Sequence, residues 1–188
     1  MTFDPATALG MLYALSELAL MFAKRADKSA TRGADRGSLP LLWIVIAVSV
    51  TLGFSLSHML PGASMGDSAG LREAGIGLFA AGIALRWYSI LYLGRFFTVN
   101  VAIAADHRLI DQGPYRYLRH PSYTGAVAAF AGLGLCLANW ASLAVILLPV
   151  IAVFLRRILI EEAALREAFG EEYRRYAQRT KRLIPFLY

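Results

Sequence analysis

Long apolar runs separated by short polar stretches organise this chain. A membrane-spanning helix needs roughly 20 predominantly apolar residues. Five segments approach that length: 6–23, 39–60, 71–93, 121 to about 137, and 141 to about 160. The first carries one acid, Glu17, and the third one base, Arg86. The pattern predicts an all-α, polytopic membrane protein with about five transmembrane helices, the last two joined by a tight hairpin through Ala138, Asn139 and Trp140. Small residues recur in the third and fourth runs, including Gly75, Gly82, Gly125 and Gly132. They allow close helix packing.

Two polar stretches remain. Residues 94–120 lack periodicity and contain Gly113-Pro114, which predicts an ordered loop. It is longer than most connections, and long loops are commonly functional. Residues 161–180 read as a separate amphipathic helix, with Glu162, Leu165, Phe169, Tyr173 and Tyr176 on one face. The closing Leu183-Ile184-Pro185-Phe186 predicts a docked end. The whole chain, 1–188, reads as one membrane domain, with a two-helix part at 1–70 and a core at 71–188.

Charge sets the topology. Seventeen of the 19 lysines and arginines fall in the segments after the first, third and fifth apolar runs. Basic loops stay cytoplasmic, so the N-terminus is expected outside and the C-terminus inside. Composition agrees: 57% of residues are hydrophobic and 17% charged, against about half and a quarter in soluble domains. The net charge of +6 follows the membrane pattern, so nucleic acid is not expected as a partner. The single cysteine, Cys136, and the lack of a Cys/His cluster give no sign of a metal. No basic stretch precedes the first apolar run, so a cleaved leader is not expected.

Four polar features carry candidate chemistry. Asp106-His107-Arg108-Leu109 precedes Gly113-Pro114-Tyr115. Arg119-His120-Pro121-Ser122-Tyr123 opens the fourth apolar helix. Arg156-Arg157 and then Glu161-Glu162 stand where the fifth run ends. Proline suits a first helical turn, and the free N–H groups there favour an anion. Arg86 and Glu17 are ionisable groups within apolar segments, which are costly and often functional.

Taken together, the string from His107 through Gly113, Tyr115, Arg119, His120, Pro121 and Tyr123 to Gly125 resembles the core signature of isoprenylcysteine carboxyl methyltransferases and their bacterial relatives. Leu93 to Thr98 and the block from Glu161 to Tyr176 resemble the flanking family segments. The resemblance covers about the last hundred residues. It implies a methyltransferase core at 71–188, with a cofactor-binding loop at 94–120 and a covering helix at 161–180. It also implies that S-adenosylmethionine is the cofactor and S-adenosylhomocysteine the product. By similarity, His107, Leu109, Gly113, Tyr115, His120, Pro121 and Tyr123 line that site, Glu161 and Glu162 lie beside it, and Tyr173 and Tyr176 close over it.

Aromatic faces suit a sulfonium cation, and Arg119 suits the cofactor carboxylate. The expected acceptor is a lipophilic, membrane-borne carboxylate arriving from the bilayer. Arg157 is the first candidate to hold it and Arg86 the second. A phospholipid amine or lipid hydroxyl acceptor stays open, with His107 or Glu162 as base. A sterol-type reductase and a non-catalytic scaffold also stay open. The expected place is a multi-pass site in a bacterial inner membrane or the endoplasmic reticulum, according to source, with the active site facing the cytoplasm.

Overall fold

A computed structural model of the chain describes residues 5–23, 37–66, 69–97 and 108–184. Five helices form at the predicted places: α1 (Pro5–Ala23), α2 (Ser38–Met59), α3 (Ala69–Leu93), α4 (Pro121–Cys136) and α5 (Trp140–Arg179). Short 3-10 turns occupy Pro61–Ala63, Gly94–Phe96 and Gly113–Arg116. Among the described residues there is no strand, so the protein is all-helical.

Three helices are long and apolar enough to cross a membrane: Ser38–Met59, Ala69–Phe96 and Trp140–Arg179. The first apolar run gives a shorter helix over Pro5–Leu20. At 16 residues, α4 reaches only about 24 Å. Most of α4 is buried against its neighbours rather than turned outward.

Glycine explains why α3 and α4 lie so close. A Cβ added at Gly82 would stand 2.5 Å from the Gly125 carbonyl oxygen, and one at Gly132 would stand 2.5 Å from that of Gly75. The pairs repeat at seven-residue spacing along both helices, so the two backbones touch without side chains between them. Gly125→Ala is expected to force the helices apart at a cost of about 1–3 kcal/mol. Gly77→Ala, with nothing within 4 Å of the added carbon, should be neutral. Unfolding midpoints of the two variants in detergent check this; equal midpoints would refute the packing account.

Antiparallel pairing of α2 with α5 is fixed by polar contacts at both ends. Ser142 Oγ donates to Gly53 O at 2.7 Å, and Arg157 Nη1 donates to Ser38 Oγ at 2.9 Å. At the N-terminal end of α5, Asn139 caps the helix, accepting from Ser142 N, and its Nδ2 donates to Leu60 O at 2.9 Å. The buried core between the helices holds Ile46, Phe79, Phe130, Val150 and Phe154.

One expectation needs correction. Residues 161–180 are not a separate helix; they continue the fifth span without a break at residue 160. The stretch Glu161 to Phe169 is rich in good helix formers, so nothing stops the helix there. The break comes at Gly170, whose φ of 51° and ψ of −119° are non-helical and accessible to glycine without steric cost. The kink disrupts the single face read from the sequence: Leu165, Tyr173 and Tyr176 share a cavity that Phe169 does not line.

Past α5 the chain turns back along the loop. Lys181 N donates to Tyr117 O at 3.2 Å, Arg119 N to Lys181 O at 2.7 Å, and His120 N to Arg182 O at 3.1 Å. Thr124 Oγ1 adds a bond to Leu183 O at 2.7 Å. The docked end is therefore seen as far as the structure describes it; Pro185 and Phe186 lie outside the described residues.

Candidate functional site

A large cavity lies at the end of the helices next to the 108–120 loop and encloses about 1320 Å³ with its open mouth included. The part walled by the loop and α5, the polar lobe, carries Arg108, Tyr115, Arg119, His120, Glu161, Tyr173 and Tyr176 together with apolar Leu109, Ile110 and Leu165. The other is mainly apolar and is lined by Leu20, Leu39, Leu42, Trp43, Ile46 and Phe154. Arg86, Tyr123 and Arg157 also line the cavity.

The start of α4 anchors the polar lobe. His120 occupies the N-cap with φ −129°, and Pro121 begins the helix. Proline's fixed φ and missing N–H suit that position. The His120 side chain is 4% exposed. Its Nε2 stands 3.5 Å from Glu162 Oε1 and makes no hydrogen bond. Glu161 Oε2 and the Tyr173 hydroxyl are likewise buried without a hydrogen-bond partner. Buried polar atoms in a folded protein are rarely left unsatisfied. Here an acceptor (Glu161), a ring nitrogen (His120) and a hydroxyl (Tyr173) come from three places in the chain, on residues that line one cavity.

Glu161 and Glu162 part company. Glu161 lines the cavity, whereas Glu162 is fully buried behind its wall. Arg119 Nε donates to Glu162 Oε1 at 2.8 Å, Arg166 Nη2 to Oε2 at 2.8 Å, and Arg182 Nη2 to Oε2 at 3.2 Å. Burial pushes the Glu162 carboxyl up, but His120, Arg182 and Arg119 more than offset it and hold the group well below the usual carboxylate range. Glu162 is thus a permanently charged tie between loop, helix and tail. That geometry does not suit the base role considered for it, since a general base must pick up a proton at the working pH.

Arg119 has the same character. Its Nη1 donates to the Ala177 and Thr180 carbonyl oxygens at 2.9 and 2.5 Å. Tyr176 OH donates to Tyr115 O at 2.8 Å, and Tyr115 OH to Ser89 O at 3.2 Å. The pair fastens α5 to the loop and the loop to α3. Burial raises the hydroxyls of Tyr173 and Tyr176 above the ordinary tyrosine range, so both stay neutral donors.

Gly113 does not line the cavity. Its φ is 57°, and a Cβ there would meet the Tyr92 ring at 2.5 Å, so it shapes the turn that seats the loop. Pro121 likewise shapes α4 from a buried position. Leu109 lines the cavity. His107 lies outside the described residues.

At the junction of the lobes, Arg157 Nε donates to Tyr123 OH at 3.0 Å. Across from it, Arg86 Nε and Nη2 donate to Glu17 Oε1 and Oε2 at 2.5 and 2.7 Å. Sequence reasoning marked both members of this pair as intramembrane ions but not as partners. It missed the apolar wall from α1 and α2, because leucines and a tryptophan in an apolar run give no sign of which face turns inward.

The phospholipid methyltransferase family matches residues 71–172, which contain both arginines at the junction and most of the polar lobe. The chain belongs to this family. Its named relatives include a probable protein-S-isoprenylcysteine O-methyltransferase from Oryza sativa subsp. indica, 34% identical over 115 residues that make up 60% of each chain. Protein-S-isoprenylcysteine O-methyltransferase B from Arabidopsis thaliana is 35% identical over 115 residues, covering 60% of this chain and 58% of that one. Among solved structures, the eukaryotic intramembrane Ras methyltransferase ICMT (isoprenylcysteine carboxyl methyltransferase) is similar, with a TM-score of 0.63 and 29% identity over 79% of this chain and 53% of that one. The family member described here thus spans about three fifths of the length of the first two relatives. The resemblance read from the sequence is met by these comparisons.

Proposed function

We propose that this protein transfers a methyl group from S-adenosylmethionine to the carboxylate of a lipophilic, membrane-borne acceptor of the prenylcysteine type. One observation carries the reading: one cavity is lined both by polar residues of the loop and α5, among them His120, Glu161 and Tyr173, and by apolar residues of α1 and α2. The relatives named above are methyltransferases of such acceptors by their names, which supports the same donor and acceptor class here.

The polar lobe fits the cofactor. The cofactor supplies a methyl group on a sulfonium centre. Glu161 Oε2 suits its amino group or ribose hydroxyls, Tyr173 OH and His120 Nε2 suit its remaining polar atoms, and the opening turn of α4 suits its carboxylate. Tyr173 and Tyr176 offer aromatic faces to a cation. Leu109 and Tyr115 complete the wall, with His107 as a further contact. Arg119 in the wall, with Glu162, Gly113 and Pro121 behind it, holds this constellation in place.

For the acceptor, Tyr123 and Ser38 fix the Arg157 guanidinium in the cavity wall, where a carboxylate receives charge-assisted hydrogen bonds. A carboxylate is already ionised near neutral pH, so the reaction needs positioning rather than a base. An ammonium acceptor must first lose a proton, and Glu162 is unsuited to take it. That leaves His107 as the candidate base for such an acceptor, whereas a carboxylate needs none and is the better match to this site. The acceptor tail lies in the apolar lobe, which the two-helix part at 1–70 helps to build for the core at 71–188.

The proposed topology is five spans with the N-terminus outside and the C-terminus, loop and active site on the cytoplasmic face. Antiparallel pairing of the helices gathers the polar contacts of Ser38, Arg157, Arg86 and Ser122 at one end, which supports it.

The test offers purified protein labelled S-adenosylmethionine with either N-acetyl-S-farnesylcysteine or phosphatidylethanolamine in mixed micelles. Label is expected in the methyl ester. Transfer to the amine alone would sink the reading. Glu161→Gln and His120→Ala should each weaken S-adenosylhomocysteine binding about tenfold by calorimetry, the loss of roughly one hydrogen bond to a charged or buried group.

A further inference from the structure

The chain has three tryptophans, and they differ in what their indole N–H groups meet. Trp140 opens α5 with 62% of its surface exposed, the usual place of an aromatic ring at a membrane boundary. Trp87 Nε1 donates to Ser16 Oγ at 2.7 Å. Trp43 is in neither state. Its ring is partly buried and lines the cavity from α2. Its Nε1 is shielded from solvent and has no hydrogen-bond partner among the described residues. An indole nitrogen only donates, and a buried one usually has an acceptor.

The wall around it supplies none. Leu39, Leu42 and Ile46, the other cavity residues of α2, are apolar, and the helix carbonyl groups there are taken by the helix's own N–H groups. A buried water needs several polar partners, and this stripe of α2 offers it only the indole. Trp43 also stands at a definite depth. It follows Ser38 by five residues, about 7.5 Å along the helix axis. Long side chains on a helix lean toward its N-terminus, so the ring covers the turn between the two. Ser38 Oγ accepts from Arg157 Nη1 at 2.9 Å, which puts the acceptor carboxylate of the proposed function near that end. Ile46 and Phe154 line the cavity farther in, where the tail lies. In an acceptor of the prenylcysteine type, one polar group falls between carboxylate and tail: the acyl amide on the carbon that bears the carboxylate.

We propose that Trp43 is a specificity residue whose Nε1–H donates to the carbonyl oxygen of that acyl amide, so that the site selects N-acylated amino-acid carboxylates, such as the end of a peptide, over plain lipid acids with the same tail. This deepens the reading above and rests on it. Trp43 lies outside residues 71–172, the segment matched by the family. A site built to hydrogen-bond a substrate group discriminates against the analogue that lacks it, because its donor then stays unpaired.

The experiment measures steady-state methylation of two acids in mixed micelles. One is N-acetyl-S-farnesylcysteine. The other is S-farnesyl-3-thiopropionic acid, which keeps tail, thioether and carboxylate but lacks the acetamido group. The wild-type chain is expected to favour the first by about tenfold in kcat/KM, the effect of roughly one hydrogen bond. Trp43→Phe keeps an aromatic wall and removes the N–H. It is expected to lower kcat/KM about tenfold for the N-acetyl compound and to leave the plain acid within twofold, so that the preference disappears. Equal losses for both acids, or no loss for either, would overturn the proposal. If Trp43→Phe fails to accumulate, the wild-type comparison decides: equal kcat/KM for the two acids overturns the proposal and the tenfold preference sustains it. A wild-type protein that methylates neither acid would instead overturn the proposed function.

Discussion

Replacing Glu162 with alanine is expected to lower the unfolding midpoint of the protein by about 10 °C and to abolish cofactor binding as a consequence. Its carboxylate is fully buried. Arg119 and Arg182, which have side-chain exposures of 11% and 24%, converge on it. Breaking a buried ion pair by removing one partner costs about 3–5 kcal/mol, because the surviving charge is left uncompensated. Arg166 is 49% exposed and adds little, as solvent screens it. For a chain of this length each kcal/mol shifts the midpoint by roughly 2–4 °C.

The pH dependence has a definite sign. The folded-state carboxyl titrates below its unfolded value, so its contribution is complete above the unfolded pKa of about 4.3 and fades as pH falls below it. Wild-type stability should therefore drop on acidification below about pH 4, and Glu162→Gln should show a flatter profile there. Thermal unfolding at pH 3.5 to 7 checks both. A Glu162→Ala protein with unaltered midpoint but lost S-adenosylhomocysteine binding would show instead that this carboxylate touches the cofactor.

Arg157→Lys is expected to raise the acceptor KM about 10- to 100-fold while leaving S-adenosylhomocysteine affinity within twofold. Lysine keeps the charge but loses the planar fork, so the two-point grip on a carboxylate becomes a single flexible contact. A hydrogen bond to a charged group contributes about 1.5–3 kcal/mol, and each 1.4 kcal/mol is tenfold in affinity. The substitution also releases the bonds from Arg157 to Tyr123 OH and Ser38 Oγ, so the α2–α5 contact at this end should loosen slightly. Acceptor titration at saturating S-adenosylmethionine, with calorimetry for the product cofactor, separates the two effects. Equal losses in acceptor and cofactor binding would point to a collapsed site rather than a lost anchor.

Neighbouring residues show where reading from sequence stops. Glu161 and Glu162 looked equivalent in the sequence, yet consecutive residues on a helix point about 100° apart. One therefore faces the cavity and the other the arginine cluster. Tyr115 and Tyr176 were expected around the cofactor; they do line the cavity, but their hydroxyls are spent on Ser89 O and Tyr115 O. Arg119 was matched to a cofactor carboxylate, and its donors instead hold Glu162 and the end of α5. In each case residue type and approximate place were legible, and the partner was not.

The sequence by itself determined the helices, their approximate ends, the family signature and the polar blocks that belong to the site. Hydropathy, proline at a helix start and a glycine repeat are local properties, and each leaves a mark in the order of residues. Only the tertiary structure decided that Glu17 meets Arg86 across 69 positions, that α5 runs unbroken to Gly170, and that α1 and α2 wall the apolar lobe. Those outcomes depend on which faces of separate helices meet. That is settled by the close approach of backbones at Gly82 and Gly125 and by charges that must find partners away from water.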